Sequence, residues 1–274
     1  MAALASTSTP TRPNIIAITV DSSCAQMVQS IYAPMFNALQ QHSNLTFSTN
    51  TDSAMASLNS LSPRAILLMD PFLIRPKPAY RALAGALASY VHAGGRVVLC
   101  GVFSSMVSSP DFNAWLLRRW GLHWELGAYH RVDNCLGEAE LRWAPALLER
   151  FSMKAVSLKG VRREARLYVP AEGARTQSFV FPAQEVQNKE QAAVAWEMVG
   201  SGWLGYVGDV NCEEGSIKAV VAMCGVRDEK CYGCEKEGSV RCARCTKALY
   251  CGKECQKTDW KRHKAICREA APKA

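Results

Sequence analysis

The last fifth of the chain limits its folding more than any other part. Seven of the twelve cysteines fall between Cys231 and Cys267. With His263 they form four ordered pairs: Cys231-x2-Cys234, Cys242-x2-Cys245, Cys251-x3-Cys255 and His263-x3-Cys267. A segment this short cannot support itself on a hydrophobic core. Thiolate and imidazole are the usual donors to Zn²⁺, which takes four in a tetrahedron, so eight ligands imply two ions. A C-x2-C pair bends the backbone into a turn that aims both sulfurs at one metal. Cys251 and Cys255, and likewise His263 and Cys267, are spaced to lie one turn apart on a helix face. Spacing alone leaves three ways to combine four pairs into two sites. The competing use of paired cysteines is a disulfide framework, which belongs to secreted chains. The start, MAALASTSTPTRPN, has no apolar signal core. Residues 1–13 are expected to be a disordered tail rather than a transit peptide. A reducing compartment, cytoplasmic or nuclear, is the expected location.

The pattern C-x2-C, C-x2-C, Y-C-x3-C, H-x3-C, with CQKTDWKRHKAIC inside it, resembles a MYND-type zinc finger. Tyr250, Gln256 and the pair Asp259-Trp260 also fit that family. The resemblance implies interleaved sites. Cys231, Cys234, Cys251 and Cys255 hold one zinc, and Cys242, Cys245, His263 and Cys267 the other. It implies structural zinc, because protein ligands fill both sites and leave no position for water. It further implies contact with protein partners through short proline-containing peptides, in a groove lined by Gln256 and Trp260. Some members carry a serine where this chain has Ala243, so peptide preference does not carry over. Many such fingers sit beside a SET methyltransferase domain, but no NHxCxPN-like segment precedes this one.

Charge adds little. The formal net charge is +8. From Arg227 onward, thirteen Lys/Arg stand against seven Asp/Glu. Seven thiolates and two Zn²⁺ bring that +6 down to about +3. Nucleic acid is therefore not the expected primary partner. The run Lys261, Arg262, Lys264 and Arg268 reads as a solvated helix face, or as a match for an acidic rim on a partner. No apolar run approaches the roughly 18 residues of a membrane helix.

Upstream, strand-like and helix-like patterns alternate. Strands are expected at NIIAITV (from Asn14), NLTFSTN, RAILLMDP and RVVLCGVFSS. Helices are expected at CAQMVQSIYAPMFNALQQH, split by Pro34, at KPAYRALAGALASYVHAGG, and at PDFNAWLLRRWG. Continuous apolar strands in this rhythm predict an α/β fold, a mostly parallel sheet flanked by helices, over residues 14–226. The finger then occupies 227–270, after a boundary near GVRDEK. Between Leu122 and Glu190 the rhythm weakens. KAVSLKGV, ARLYVPA and SFVFPA are expected strands there, and APALLERF a helix. AVAWEMVGSGWLGYVGDV predicts a hairpin about Gly200, Ser201 and Gly202, and EEGSIKAVVAMCG a last helix ending at Gly225.

HAGGRVVLCGVFSS resembles the helix, glycines and strand before the nucleophile elbow of class I glutamine amidotransferase-like (flavodoxin-like) folds. The elbow G-x-C-x-G would fall on Gly101-Val102-Phe103-Ser104-Ser105, and phenylalanine cannot attack a carbonyl. Cys100 is the nearest thiol. His92, His123 and His130 are the available bases. Asp21, Asp70 and Asp209 end strand-like runs, where open α/β sheets place ligands. No catalytic residue is assigned, and no glycine pattern marks a nucleotide site. The reading that follows is a zinc-binding interaction adaptor with a non-catalytic α/β domain. The alternatives are an enzyme of amidotransferase or hydrolase type recruited by the finger, and a transcriptional co-regulator.

Overall fold

The computed structural model describes residues 12–144, 146–178, 180–226, 231–234, 236, 238, 240–245, 248–264 and 267. The expected tail (1–13) therefore lies outside the described residues except for Arg12 and Pro13, and most of the expected boundary, 227–230, also lies outside them. The chain divides into two compact units. The larger comprises Met1–Arg142 and Leu148–Val226, and the smaller Arg227–Ala274 together with Trp143–Leu147.

The larger unit begins with the expected alternation. Strand β1 (Asn14–Ile18) leads into helices α1 (Ser22–Ile31) and α2 (Ala33–Gln40). Pro34 sits in the first turn of α2, so the apolar stretch is two helices, as its missing N–H requires. Then come β2 (Asn44–Ser48), α3 (Thr51–Leu61), β3 (Ala65–Leu68), α4 (Pro78–His92), β4 (Arg96–Leu99) and α5 (Ser109–Trp120). Side chains cap several helix starts. Asp21 accepts from Ser23 N at the start of α1, Asn50 from Ser53 N at α3, and Ser108 from Asp111 N at α5.

The remaining elements are β5 (Glu125–Leu136), β6 (Arg150–Lys159), β7 (Arg166–Pro170), β8 (Val194–Val199), β9 (Gly202–Val207) and α6 (Glu214–Met223). One sheet runs β2-β1-β3-β4-β9-β8-β7-β5-β6. Its first five strands are parallel and flanked by helices, the expected α/β architecture. From β9 onward every pairing is antiparallel. The hairpin about Gly200 and Ser201 is the joint between the halves: β9 is parallel to β4 and antiparallel to β8.

Alternation along the parallel strands sorts the core into two layers. Ile16, Ile18, Ile66, Leu68, Val97 and Leu99 pack in one cluster with residues of α3, α4 and α5. Ile15, Ala17, Ala65, Leu67 and Val98 are equally buried and point the other way. On that face α6 lies close, since a Cβ on Gly205 would meet Met223 Sδ at 2.9 Å. Each fully buried Ile or Leu contributes about 2 kcal/mol by leaving water.

Three expectations are corrected. RVVLCGVFSS is strand only to Leu99; Gly101, at φ 68°, turns the chain away. SFVFPA forms no strand among its described residues, and Val180 and Phe181 are exposed. APALLERF forms no helix among its described residues; Arg150 and Phe151 instead start β6, paired with Cys135 and Asn134 of β5. Cross-strand pairing there overrides the local helical spacing.

Candidate metal centre

The smaller unit has little regular structure. Strand β10 (Val240–Arg241) pairs antiparallel with β11 (Leu249–Tyr250), and helix α7 runs from Lys253 to His263. Each ligand pair has its own support. Cys231 and Cys234 share a tight turn in which Gly233 N donates to Cys231 Sγ at 3.3 Å, while Tyr232 N donates to Leu249 O at 2.8 Å. Cys242 and Cys245 lie in the connection after β10, where Cys242 N donates to Ala248 O at 2.8 Å. Cys251 follows β11, and Cys255 lies in the first turn of α7. His263 ends α7, and Cys267 comes just after it.

Eight ligand atoms gather into two sets, Cys231, Cys234, Cys251 and Cys255 in one and Cys242, Cys245, His263 and Cys267 in the other. Within each set all atoms lie within 4.8 Å of one another. The pairing is the interleaved one. Cys234 and Cys251 sulfurs are 3.5 Å apart, Cys251 and Cys255 3.4 Å, and Cys242 and Cys267 3.7 Å. Cys245 Sγ is 3.5 Å from His263 Nε2. A tetrahedron with zinc–sulfur bonds of about 2.3 Å and zinc–nitrogen bonds of about 2.0 Å has S–S edges of about 3.8 Å and S–N edges of about 3.5 Å. Both sets fit zinc. His263 Nε2 is its metal-facing nitrogen; buried Nδ1 has no hydrogen-bond partner among the described residues.

The thiols conflict when they must share protons alone. Burial pushes the Cys231 thiol up, but N–H groups of Cys251 and Gly233 outweigh it and bring it to about 6. Cys242 likewise falls to about 6 against its own burial, through the Cys245 N–H and His263. Their neighbours move the opposite way. Hydrogen bonding with Cys251 raises Cys255 to about 12, and burial with the nearby Cys242 raises Cys267 to about 12. A divalent ion in each set lets all four ligands donate together.

Beside the ligands, a polar network holds α7 to the hairpin. Tyr250 OH donates to Asp259 Oδ2 at 2.8 Å, Arg262 Nε to Asp259 Oδ1 at 2.7 Å, and Arg262 Nη2 to Tyr232 O at 2.9 Å.

The ligand order coincides with a known module, the MYND finger, whose family model matches residues 231–267. This segment is a MYND finger. The finger is similar to part of Tudor domain-containing protein 1 of Danio rerio, 36% identical over 64 residues, which is 23% of this chain and 5% of that protein. It is also similar to part of the N-lysine methyltransferase SMYD2 of Gallus gallus, 51% identical over 43 residues, 15% of this chain and 10% of that protein. The chain thus spans only a small share of these relatives. Gln256 and Trp260 sit on α7 one turn apart, so they share a face of the finger's helix. The Trp260 indole is 39% exposed and packs edge-on to His263 with centroids 5.8 Å apart.

The α/β unit is similar in structure to a ThuA-like protein of Bacteroides uniformis, with a TM-score of 0.51 and 11% identity, over 81% of this chain and 94% of that one. At that identity the likeness shows the fold alone. In this fold Phe103 is fully buried, its ring 6.2 Å from that of Phe112 and 6.1 Å from that of Trp115. The corner after β4 is made by Gly101, where a Cβ would meet Met69 O at 2.9 Å. Cys100 is buried with Sγ 3.4 Å from Met69 Sδ, and burial pushes its thiol well above the ordinary range.

The histidines are spread apart. His92 ends α4 and accepts from Ser201 N at the β8–β9 turn, at the opposite end of β4 from Cys100. His123 precedes β5, and His130 lies within β5, its pKa lowered by burial. Asp21 caps α1, and Asp209 accepts from Asn211 N and Glu213 N. Asp70 is fully buried and accepts from Phe72 N and Asp21 N. Beside Cys100 and Asp209 there is a cavity of only about 10 Å³, room for one water at most. β6 crosses just there, with Val156 N donating to Gly208 O at 3.0 Å.

Proposed function

We propose that this protein is a zinc-dependent interaction adaptor that acts inside the cell, in the cytosol or nucleus. Its MYND finger docks short proline-containing peptide segments of partner proteins, and its α/β domain performs no catalysis. The observation that carries this reading is the Gln256–Trp260 face of α7. An indole is left 39% exposed on a helix whose two ends are held by the metal sets. Exposed aromatic residues on a rigid support are the usual anchors of peptide recognition. The non-catalytic reading is supported by Phe103 in the core and by Cys100 packed against Met69.

The test is capture of partner proteins by the full chain against Trp260→Ala. The expected outcome is loss of partner peptides by Trp260→Ala with two zinc ions per chain retained. Equal capture by both forms would overturn the assignment of this face. Hydrolase or amidotransferase turnover lost on Cys100→Ala would overturn the non-catalytic reading.

A further inference from the structure

Charge is scarce at one end of the large sheet. From Ser22 to Pro63, a stretch of 42 residues, Asp52 is the only Asp, Glu, Lys or Arg. At the chain's 20% charged content, about eight would be expected. The stretch contains α1, α2, β2 and α3. Its one charge has a local use, since Asp52 lies in the first turn of α3, where a negative charge suits the helix start. Burial does not account for the pattern. Gln29, Asn37 and Asn44 are exposed, and so are the apolar side chains of Met27, Ile31 and Phe47. Depletion of charge around exposed apolar groups is the composition of a surface that meets protein.

The backbone at this end is open as well. β2 is last in the strand order and pairs with β1 alone. The other end of the order is closed: Val156 N and Leu158 N of β6 donate to Gly208 O and Ala192 O, and Val210 N donates to Lys154 O. Among the described residues β2 is therefore the free edge of this sheet. Asn44 N donates to Pro13 O and Ser48 O accepts from Thr19 N, so the even-numbered residues of β2 turn their backbone groups to β1. By alternation Leu45 and Phe47 turn theirs outward. Free edges are usually blunted by Lys, Pro or a bulge. β2 reads NLTFS and keeps its register with β1 throughout, so it has none of these. Its two faces are covered by helices of the same uncharged stretch. The Phe47 ring meets that of Phe36 in α2 at 4.9 Å, and Ser48 Oγ on the other face lies 3.3 Å from Ser57 Oγ in α3.

The pattern of β2 fits a second β2. Two copies related by a two-fold axis pair antiparallel. With the axis at Thr46, Leu45 of one copy stands opposite Phe47 of the other, and these outward-turned residues exchange backbone hydrogen bonds. Asn44 stands opposite Ser48, and Thr46 opposite itself. Apolar side chains thus meet on the α2 face and polar ones on the α3 face, both favourable cross-strand pairings. A two-fold axis sets any charge near it against its own copy, which destabilises a sheet. A face without charge escapes that repulsion, and it offers an acidic or basic partner nothing to pair with. We propose that this protein forms a homodimer through β2, antiparallel about Thr46, which joins two sheets into one. The face is separate from the finger and does not depend on the adaptor reading.

The experiment is sedimentation velocity of the full zinc-loaded chain over a micromolar concentration series. A species of twice the chain mass is expected to grow in with concentration. Thr46→Lys sets two ammonium groups face to face and should weaken the dimer about tenfold or more, and Thr46→Glu should do the same with carboxylates. An equimolar mixture of the two forms should restore the dimer, because opposite charges then meet; a folding defect could not be mended this way. Phe47→Lys changes an exposed ring on the same strand and should weaken the dimer too. A wild-type chain that stays monomeric through the series would overturn the proposal. A dimer that survives Thr46→Lys and Phe47→Lys unchanged would place the contact elsewhere and overturn it equally. Failure of the mixture to dimerise would overturn the pairing about Thr46.

Discussion

Asp70 shows how much a single buried side chain can cost this domain. It stands just after β3, fully buried, with the N–H groups of Phe72 and Asp21 as donors. Burial outweighs those donors and raises its pKa from 3.8 to about 6. The folded state therefore holds this proton more tightly than the unfolded chain does. The stability it contributes is present at low pH and is lost as pH rises from about 4 through about 6. At neutral pH the ionised carboxylate costs up to about 3 kcal/mol. Asp70→Asn keeps an acceptor oxygen and cannot ionise. Urea unfolding of the α/β domain at pH 4.5 and pH 7 should show a smaller drop for Asp70→Asn than for wild type. An identical drop in the two proteins would contradict the assigned cost. Asp70 was recognisable in the sequence only as the end of an apolar run; its complete burial comes from α1 and the turn at Pro71 closing over it.

Among the elements, α7 and the β10–β11 hairpin depend most on the metal. β10 and β11 have two residues each, and within α7 only Asp259 and His263 are buried. Neither element has enough apolar surface to fold alone, so zinc, on the order of 10 kcal/mol per site in finger peptides, supplies the difference. Cys231→Ser should therefore abolish the α7 helix and release metal, and a strong chelator should do the same to wild type. The α/β domain has its own core and should keep its thermal transition; calorimetry with and without chelator reads both. A single transition that vanishes with the metal would contradict this independence. Elements also mark where local pattern was a poor guide. Helix α3 is rich in Ser, Thr and Asn; Ala54, Met55, Leu58 and Leu61 stand at helical spacing and face the core, but only Ala54 is fully buried, so its apolar stripe is thin. Strand β5 is twelve residues long and mostly half-buried, with a bulge between Leu126 and Tyr129 that breaks its alternation. Both are held by neighbours: α3 by its Asn50 cap and the common core, β5 by pairing on both sides to β7 and β6.

On the scale of the whole molecule, two kinds of stabilisation share one chain. A large sheet buries apolar layers, and a small finger is assembled from eight ligands. Metal analysis after gentle purification should find two zinc ions per chain, and one or none would contradict the two interleaved sets. No helix among the described residues is long and apolar enough to cross a membrane. The eight zinc ligands were legible in the sequence because metal chemistry is local: each pair is set by two or three intervening residues. Strands β1, β3 and β4 were legible because strands buried on both faces must be apolar throughout. The tertiary structure alone decided three other things. It brought alternate ligand pairs to each ion in the arrangement the family resemblance implies, although spacing allows three. It made the second half of the sheet antiparallel, since pairing energy comes from partners distant in the chain. It also put the uncharged stretch around β2 at the free edge of the sheet, because strand order follows pairing rather than chain order.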